Sequence, residues 1–185
     1  MDNGASSYRR FLDGDDTGFV EIVRDYKDGL ILFLNRYVNN IHTAEELMEE
    51  TFFQLATRRP RFTAKYTFKT WLYTIGRNIA LNHLKRAARV SSASIEEYAD
   101  ISDDAMLLER AYIQSEDKRM LCRALDSIHP DYSAILYLVF FEDLTNAQAA
   151  KVMKRNQRQI ANLLYRAKSA LKSELEKEGF TYEGL

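Results

Sequence analysis

The sequence predicts an all-α protein built from two small helical domains joined by a flexible acidic linker. Only 7 of the 185 residues are Gly and 2 are Pro, and this scarcity of helix breakers favours long helices. Apolar residues recur at spacings of three and four along most of the chain, as they do on one face of a helix. A stretch rich in serine and acidic residues interrupts this pattern, and it divides the chain into residues 1–89, a linker at 90–115 and residues 116–185.

The first amphipathic segment covers residues 17–38. Asp15, Asp16 or Thr17 can cap its start, and the pair Asn39-Asn40 can end it. Eight apolar residues form its stripe: Phe19, Ile22, Val23, Tyr26, Leu30, Phe33, Leu34 and Tyr37.

A second helix is predicted with Thr43 as its N-cap, because the spacing from Thr43 to Glu46 is that of a capping box, and the helix breaker Pro60 is expected to end it. A third is predicted over residues 70–88, and the three helices are expected to share one core. The second helix is acidic on one face, at Glu45, Glu46, Glu49 and Glu50. Acidic residues stabilise the positive end of a helix, but four of them, extending past the first turn, are more than that role needs.

The segment between the second and third helices is a loop in which basic and aromatic residues alternate. Residues 54–89, which include this loop, carry nine basic and no acidic side chains. Such a block is a candidate nucleic-acid surface, because Lys and Arg displace counterions from phosphates while aromatic rings stack on bases. A solvated helix face is the alternative interpretation.

The C-terminal part predicts a helix-turn-helix. A helix ended by Pro130 and a buried helix over residues 132–140 precede a short helix capped by Thr145. A tight turn at Lys154–Asn156 then leads into a longer helix, residues 157–177, for which Asn156 is the expected N-cap. Residues 151–177 carry eight basic and two acidic side chains, and so form a second basic block.

Several classes of function are excluded by residue types that are missing or scattered. His42, His83 and His129 have no metal-ligand spacing, and Cys122 is the one cysteine. We find no glycine-rich phosphate loop and no nucleophile set, so we expect no enzymatic activity and no cofactor. No apolar run is long enough to span a membrane and no secretory signal precedes the first helix, so a cytoplasmic protein is expected.

With these segments assigned, the chain resembles the extracytoplasmic-function (ECF) group of the sigma-70 family of bacterial RNA polymerase sigma factors. The segments 44–52 and 68–78 resemble the conserved helix and the promoter-melting helix of sigma region 2, and residues 144–168 resemble the helix-turn-helix of sigma region 4. The chain departs from the family at the turn, where Lys154 replaces the usual Gly. It also departs at Glu49, where Gln is common, and at Ala161 and Leu163, where polar or basic residues are usual.

The resemblance implies that the chain directs core RNA polymerase to promoter DNA, with the polymerase β′ clamp and β flap and a cognate anti-sigma factor as further partners. The clamp would bind Glu46, Glu49 and Glu50. The sequence is equally compatible with a place for Trp71 in the hydrophobic core. Phe68 and Tyr73 are expected to be packing residues of that core. The −10 element would be held by Arg61, Phe62, Lys65, Tyr66, Trp71, Arg77 and Asn78.

The same resemblance implies that the last helix enters the major groove at the −35 element. Lys168 and Lys172 are expected to contact phosphate or solvent. The implied readers are Gln157, Arg158, Gln159, Asn162, Tyr165 and Arg166. Two rival hypotheses are a stand-alone helix-turn-helix regulator, which would bind its duplex without polymerase, and an anti-sigma-like interaction protein, which would bind no DNA.

Overall fold

The computed structural model describes residues 3–91 and 116–180. Most of the predicted acidic linker, including the helix start expected at Met106, lies outside these residues. The described residues form eight α-helices: α1 Asn3–Leu12, α2 Thr17–Val38, α3 Ile41–Arg58, α4 Phe68–Ser91, α5 Glu116–Ser127, α6 Pro130–Phe140, α7 Asn146–Met153 and α8 Gln157–Lys177.

Helix α1 was not predicted from the sequence, and it completes the N-terminal unit. Its Tyr8 and Phe11 are buried, and the Tyr8 hydroxyl donates to the Pro60 carbonyl oxygen at 2.7 Å. Gly4 lies against Tyr26 and Phe68, where a Cβ would collide with both rings. α1 therefore anchors the loop that follows α3.

The predicted N-cap of the second helix, Thr43, lies three residues too late. The helix begins at Ile41, and its N-cap is Asn40, whose side chain accepts from the Thr43 backbone N–H at 3.0 Å. Both Asn and Thr are good N-caps, so the two signals compete over the same turn. The end of α2 was predicted correctly, since Asn39 adopts the left-handed conformation, with φ 47°, that ends the helix.

Two boundaries farther along the chain also differ from the prediction. α4 begins at Phe68 and reaches Ser91, two residues earlier and three later than expected. Pro130 does not end a helix but opens α6, a position that suits proline because its missing N–H would have no partner there. The preceding helix α5 has already ended at Ser127.

The N-terminal unit, α1–α4, and the C-terminal unit, α5–α8, pack against each other. α2 contacts α6, and α4 contacts α7, so that one continuous hydrophobic core passes through both units. At this contact the rings of Phe33 and Tyr137 stack with their centroids 6.5 Å apart. The two predicted helical units are thus present in one packed body rather than apart in space.

Candidate nucleic-acid interface

The helix-turn-helix of the C-terminal unit is formed by α7, a turn and α8. Thr145 and Gln148 form a reciprocal capping box at the start of α7, and Asn156 and Gln159 form a second one at the start of α8. Lys154 takes the left-handed conformation, with φ 53°, in the turn where the family usually has Gly. Lys154 thus adopts a backbone conformation that favours glycine, at the steric cost that a side chain has in this region.

One face of α8 packs into the unit and the other faces solvent. Ile160, Leu163 and Ala167 are buried, so Leu163 occupies a core position rather than a reader position. Ala161 is exposed. All six predicted readers are exposed as well, Tyr165 with 75% of its surface accessible: Gln157, Arg158, Gln159, Asn162, Tyr165 and Arg166.

Gln159 has a second role that the sequence analysis missed. Its backbone N–H donates to Asn156 Oδ1 at 2.8 Å, and its side-chain Oε1 accepts from the Asn156 N–H at 2.9 Å. The Gln159 side chain is therefore held at the start of α8 as part of the cap. The spacing Asn156 to Gln159 is that of a capping box, so the signal was present in the sequence.

The loop between α3 and α4 is held against α1 and leaves basic side chains in solvent. The Arg59 guanidinium lies 4.7 Å from the centre of the Phe11 ring, a cation–π contact. Arg61 and Lys65 are both exposed. Tyr66 is half-buried, with the Lys151 ammonium 5.3 Å from its ring centre.

Trp71 and Phe62 belong to an aromatic cluster at the start of α4. The Trp71 ring centre lies 5.2 Å from that of Phe62, 5.3 Å from Tyr8 and 5.5 Å from Phe68. Phe68 and Tyr73 are fully buried, as expected for packing residues. Phe62 and Trp71 remain half-buried, so each keeps part of its ring accessible to a partner.

Asn78 lines a polar groove between α3 and α4 with a volume of about 430 Å³. Glu50 and Arg58 border it from α3, while His83 and Arg86 border it from the later turns of α4. Amide, carboxylate, imidazole and guanidinium groups thus face the same open space. Such a groove offers hydrogen bonds and positive charge to a polar ligand.

Arg77 differs from the expectation for a DNA-binding arginine, because only 7% of it is exposed. Its Nε donates to the Tyr37 hydroxyl at 3.0 Å, and one of its terminal nitrogens lies 4.0 Å from Asp131 Oδ1 in the C-terminal unit. Asp131 also accepts from Arg155 at 2.7 Å. In this conformation Arg77 is occupied by the contact between the units and is not available to DNA.

The acidic face of α3 is solvent-exposed. Glu46, Glu49 and Glu50 point outwards, and Glu50 accepts from Gln54 Nε2 at 3.1 Å. Phe53 lies one turn beyond Glu49 on the same face and is 66% exposed, whereas Phe52 is buried. Phe53 was not among the predicted site residues, although its position on the acidic side of the helix indicated exposure.

Two family models match the chain in order. The model described as Sigma-70 region 2 matches residues 22–90, and the one described as Sigma-70, region 4 matches residues 118–171. The chain belongs to the sigma-70 family. Within that family it is an ECF RNA polymerase sigma factor, as its relatives indicate, and this favours the sigma-factor interpretation over a stand-alone regulator or an interaction protein.

Three known proteins illustrate the similarity of this sigma factor. ECF RNA polymerase sigma factor SigW of Bacillus subtilis is 22% identical over 170 residues, which are 88% of this chain and 91% of SigW. RNA polymerase sigma factor CarQ of Myxococcus xanthus is 30% identical over 131 residues, or 70% of this chain and 72% of CarQ. The sigma factor RpoE from Bartonella quintana, solved in complex with the anti-sigma factor NepR, shares the fold with a TM-score of 0.71 at 20% identity, over 85% of this chain and 96% of RpoE.

Among residues 3–91 and 116–180, no helix combines the length and the hydropathy that a membrane crossing requires.

Proposed function

We propose that this sigma factor divides promoter recognition between residues 1–89, which dock on polymerase and hold the −10 element, and residues 116–185, which dock on the −35 element. Residues 90–115 connect the two. The observation that carries the proposal is the division of α8 into a buried apolar face and an exposed polar face. Its apolar residues are buried, while its six candidate readers face solvent on a helix that a reciprocal cap holds at its start.

The −35 element is read by α8 in the major groove. Arg158 and Arg166 can each bind a guanine edge through two hydrogen bonds, and Asn162 can bind adenine in the same manner. Gln157 and Tyr165 add hydrogen bonds to bases or phosphates, while Gln159 contributes chiefly by fixing the start of the helix. Helix dipole and backbone N–H groups at that start favour a phosphate nearby.

The −10 strand is held by the loop and α4. Arg61 and Lys65 follow the phosphates, and Phe62 and Trp71 offer ring faces for unpaired bases. Tyr66 and Arg77 join them once they are free of the C-terminal unit. Asn78 reads a base from its groove. Strand opening uses binding energy alone, in which captured bases offset the cost of unstacking, so the sigma factor needs no catalytic group and no cofactor.

The acidic face of α3 docks on the polymerase β′ clamp. Glu46, Glu49 and Glu50 orient the encounter through charge complementarity, and the exposed ring of Phe53 adds an apolar contact at the C-terminal end of the charged patch. The β flap docks on an apolar groove of about 450 Å³ in the C-terminal unit, bordered by Leu121, Leu125, Phe140 and Leu171.

The assignment as a sigma factor also predicts how the protein is regulated and where in the cell it acts. A cognate anti-sigma factor masks these surfaces until a signal arrives, and the RpoE relative was solved with such a partner. The sigma factor acts in the cytoplasm, where its polymerase and promoters are.

Co-elution with purified core polymerase on size exclusion tests the clamp assignment. We expect the double reversal Glu49→Lys and Glu50→Lys to abolish co-elution. The double reversal Asp13→Lys and Asp16→Lys changes two exposed carboxylates elsewhere on the N-terminal unit by the same charge, and it should leave co-elution intact. Equal retention of core by both variants would overturn the assignment.

A further inference from the structure

Two positions of α8 depart from the polar or basic residues that are usual there in the family, and the structure separates them. Leu163 is buried in the C-terminal unit, whereas Ala161 is exposed on the face assigned to the −35 element. Leu163 cannot reach DNA without leaving the core. Ala161 is therefore the departure that changes the surface which α8 presents to DNA.

Ala161 lies between two longer side chains on the exposed face of α8. Residues four apart are neighbours on the surface of a helix, so Gln157 precedes Ala161 by one turn and Tyr165 follows it by one turn. All three residues are exposed, Tyr165 with 75% of its surface accessible. The methyl side chain between them leaves a notch at residue 161, in a row where a lysine would project into solvent.

The notch at residue 161 offers a ligand an apolar surface and no hydrogen bond. The alanine side chain has no donor or acceptor. Residue 161 also lies inside α8, where the backbone N–H and carbonyl groups bond to each other within the helix. A polar base edge that covered the notch would lose its water without gaining a partner, which costs free energy. The notch thus favours an apolar group.

The major groove of B-DNA presents one apolar group that is specific to a base, the C5-methyl of thymine, and alanine is suited to contact it. A helix about 10–12 Å across nearly fills a groove about 12 Å wide, so a short side chain lets the helix approach the base edges closely at that point. A recognition helix reads bases with its N-terminal turns. Ala161 is in the second turn of α8, within that reading segment.

We propose that Ala161 selects thymine at one position of the −35 element, by packing its methyl group against the C5-methyl of that base. Asn162, next to it on the exposed face, can bind an adenine edge through two hydrogen bonds, so the two residues together favour A·T pairs. A lysine at residue 161 would fill the notch and remove this preference. The inference rests on the proposed docking of α8 in the major groove of the −35 element.

The burial of one methyl group sets the size of the effect. Removing that much apolar surface from water strengthens binding about fourfold. Deoxyuridine differs from thymidine only by the absence of the C5-methyl, and it keeps the O4 acceptor and the pairing with adenine. Replacement of dT by dU at the selected position therefore removes the proposed contact and leaves the hydrogen bonds of that base in place.

The test uses holoenzyme assembled from purified core polymerase and the full-length sigma factor. Selection from promoter fragments with a randomised −35 region first identifies the upstream bases that the holoenzyme prefers. Each preferred thymine is then replaced by deoxyuridine in turn, and binding to the two fragments gives a dT/dU affinity ratio. Both fragments meet the same protein, so a change in the stability of the sigma factor, or in its binding to core, cancels in this ratio.

We expect wild-type holoenzyme to have a dT/dU ratio of about four at one thymine position. Ala161→Gly removes the methyl group, and Ala161→Lys fills the notch with a residue that favours the helix, so both should bring the ratio to about one. The matched control is Ser169→Gly, which changes an exposed residue about two turns later in the same helix. This control should keep the wild-type ratio.

Three results would overturn the selection of thymine by Ala161. They are a selected −35 sequence without thymine, a wild-type ratio of one at every selected thymine, and a ratio that neither Ala161 variant changes. In each of these cases the holoenzyme still selects an upstream sequence, so the proposed docking on the −35 element stands. If wild-type holoenzyme selects no upstream sequence, the proposed docking itself fails.

Discussion

The Tyr37 hydroxyl bridges the two units of the sigma factor: it accepts from Arg77 Nε at 3.0 Å and donates to Met153 Sδ at 3.3 Å. Tyr37 and Arg77 belong to the N-terminal unit, and Met153 ends α7 in the C-terminal unit. The Tyr37 hydroxyl therefore gives the buried Arg77 Nε an acceptor and at the same time contacts the C-terminal unit.

Removing this hydroxyl should destabilise the protein. Tyr37→Phe leaves the buried Arg77 Nε without its acceptor, at a cost of about 1–3 kcal/mol of unfolding free energy. Urea denaturation followed by circular dichroism measures the change. Tyr165→Phe makes the same chemical change at a side chain that is 75% exposed, and it should have no effect. Equal stability of the two variants would show that the bridge contributes nothing.

Alkaline pH should weaken the fold through the same residue. Burial raises the pKa of Tyr37 from 10.0 to about 12, although Arg77 opposes the shift. The folded state therefore holds the phenol proton above pH 10 while the unfolded state releases it, so unfolding free energy falls as pH rises from 10 towards 12. Urea midpoints across this range should decline less steeply for Tyr37→Phe than for wild type. Parallel declines would argue against the shift.

The cap of α8 should matter for stability and for DNA binding together. Asn156→Ala removes the acceptor for the Gln159 backbone N–H and leaves only one half of the reciprocal cap, and N-cap losses of this kind cost about 1 kcal/mol. We expect a lower melting temperature and weaker binding to promoter duplex by the holoenzyme. Asn146→Ala, at the first position of α7 where Thr145 supplies the cap, is the matched control. A melting temperature that falls equally in both would contradict the specific role of Asn156.

The arginines of α8 should contribute separately to reading the −35 element. Arg158→Ala and Arg166→Ala should each cost about 1–3 kcal/mol in holoenzyme binding to the −35 duplex if they pair with guanine. Lys177→Ala removes a basic residue that pairs with Glu174 near the far end of the same helix, and it should change binding little. A uniform loss over all DNA sequences would instead assign the arginines to phosphate.

Local features of the fold were predictable from the sequence, while contacts between distant segments were not. The C-terminal end of α2 and the cap of α8 follow from Asn39 and Asn156, because capping depends on a few neighbouring residues. α1 was missed because its burial depends on partners such as Pro60, 52 positions along the chain from Tyr8.

Arg77 shows the same limit within the candidate site. Its residue type and its place in a basic block indicated DNA, and periodicity could not show that Tyr37 and Asp131 would meet it from two other helices. The solvent exposure of the six candidate readers of α8 was predictable, because the helical period alone decides which side chains of an amphipathic helix face solvent. Leu163 was named only as a departure from the family pattern, and the structure shows that it is a core residue of α8.

Transcription with purified core polymerase tests the central claim most directly. Core enzyme with the wild-type sigma factor should initiate at discrete start sites on fragments of genomic DNA, mapped by sequencing of the transcripts. Core enzyme alone, or with the Glu49→Lys and Glu50→Lys variant, should give no such sites. Discrete initiation that does not depend on the added sigma factor, or duplex binding by the free protein as tight as that of the holoenzyme, would contradict the account.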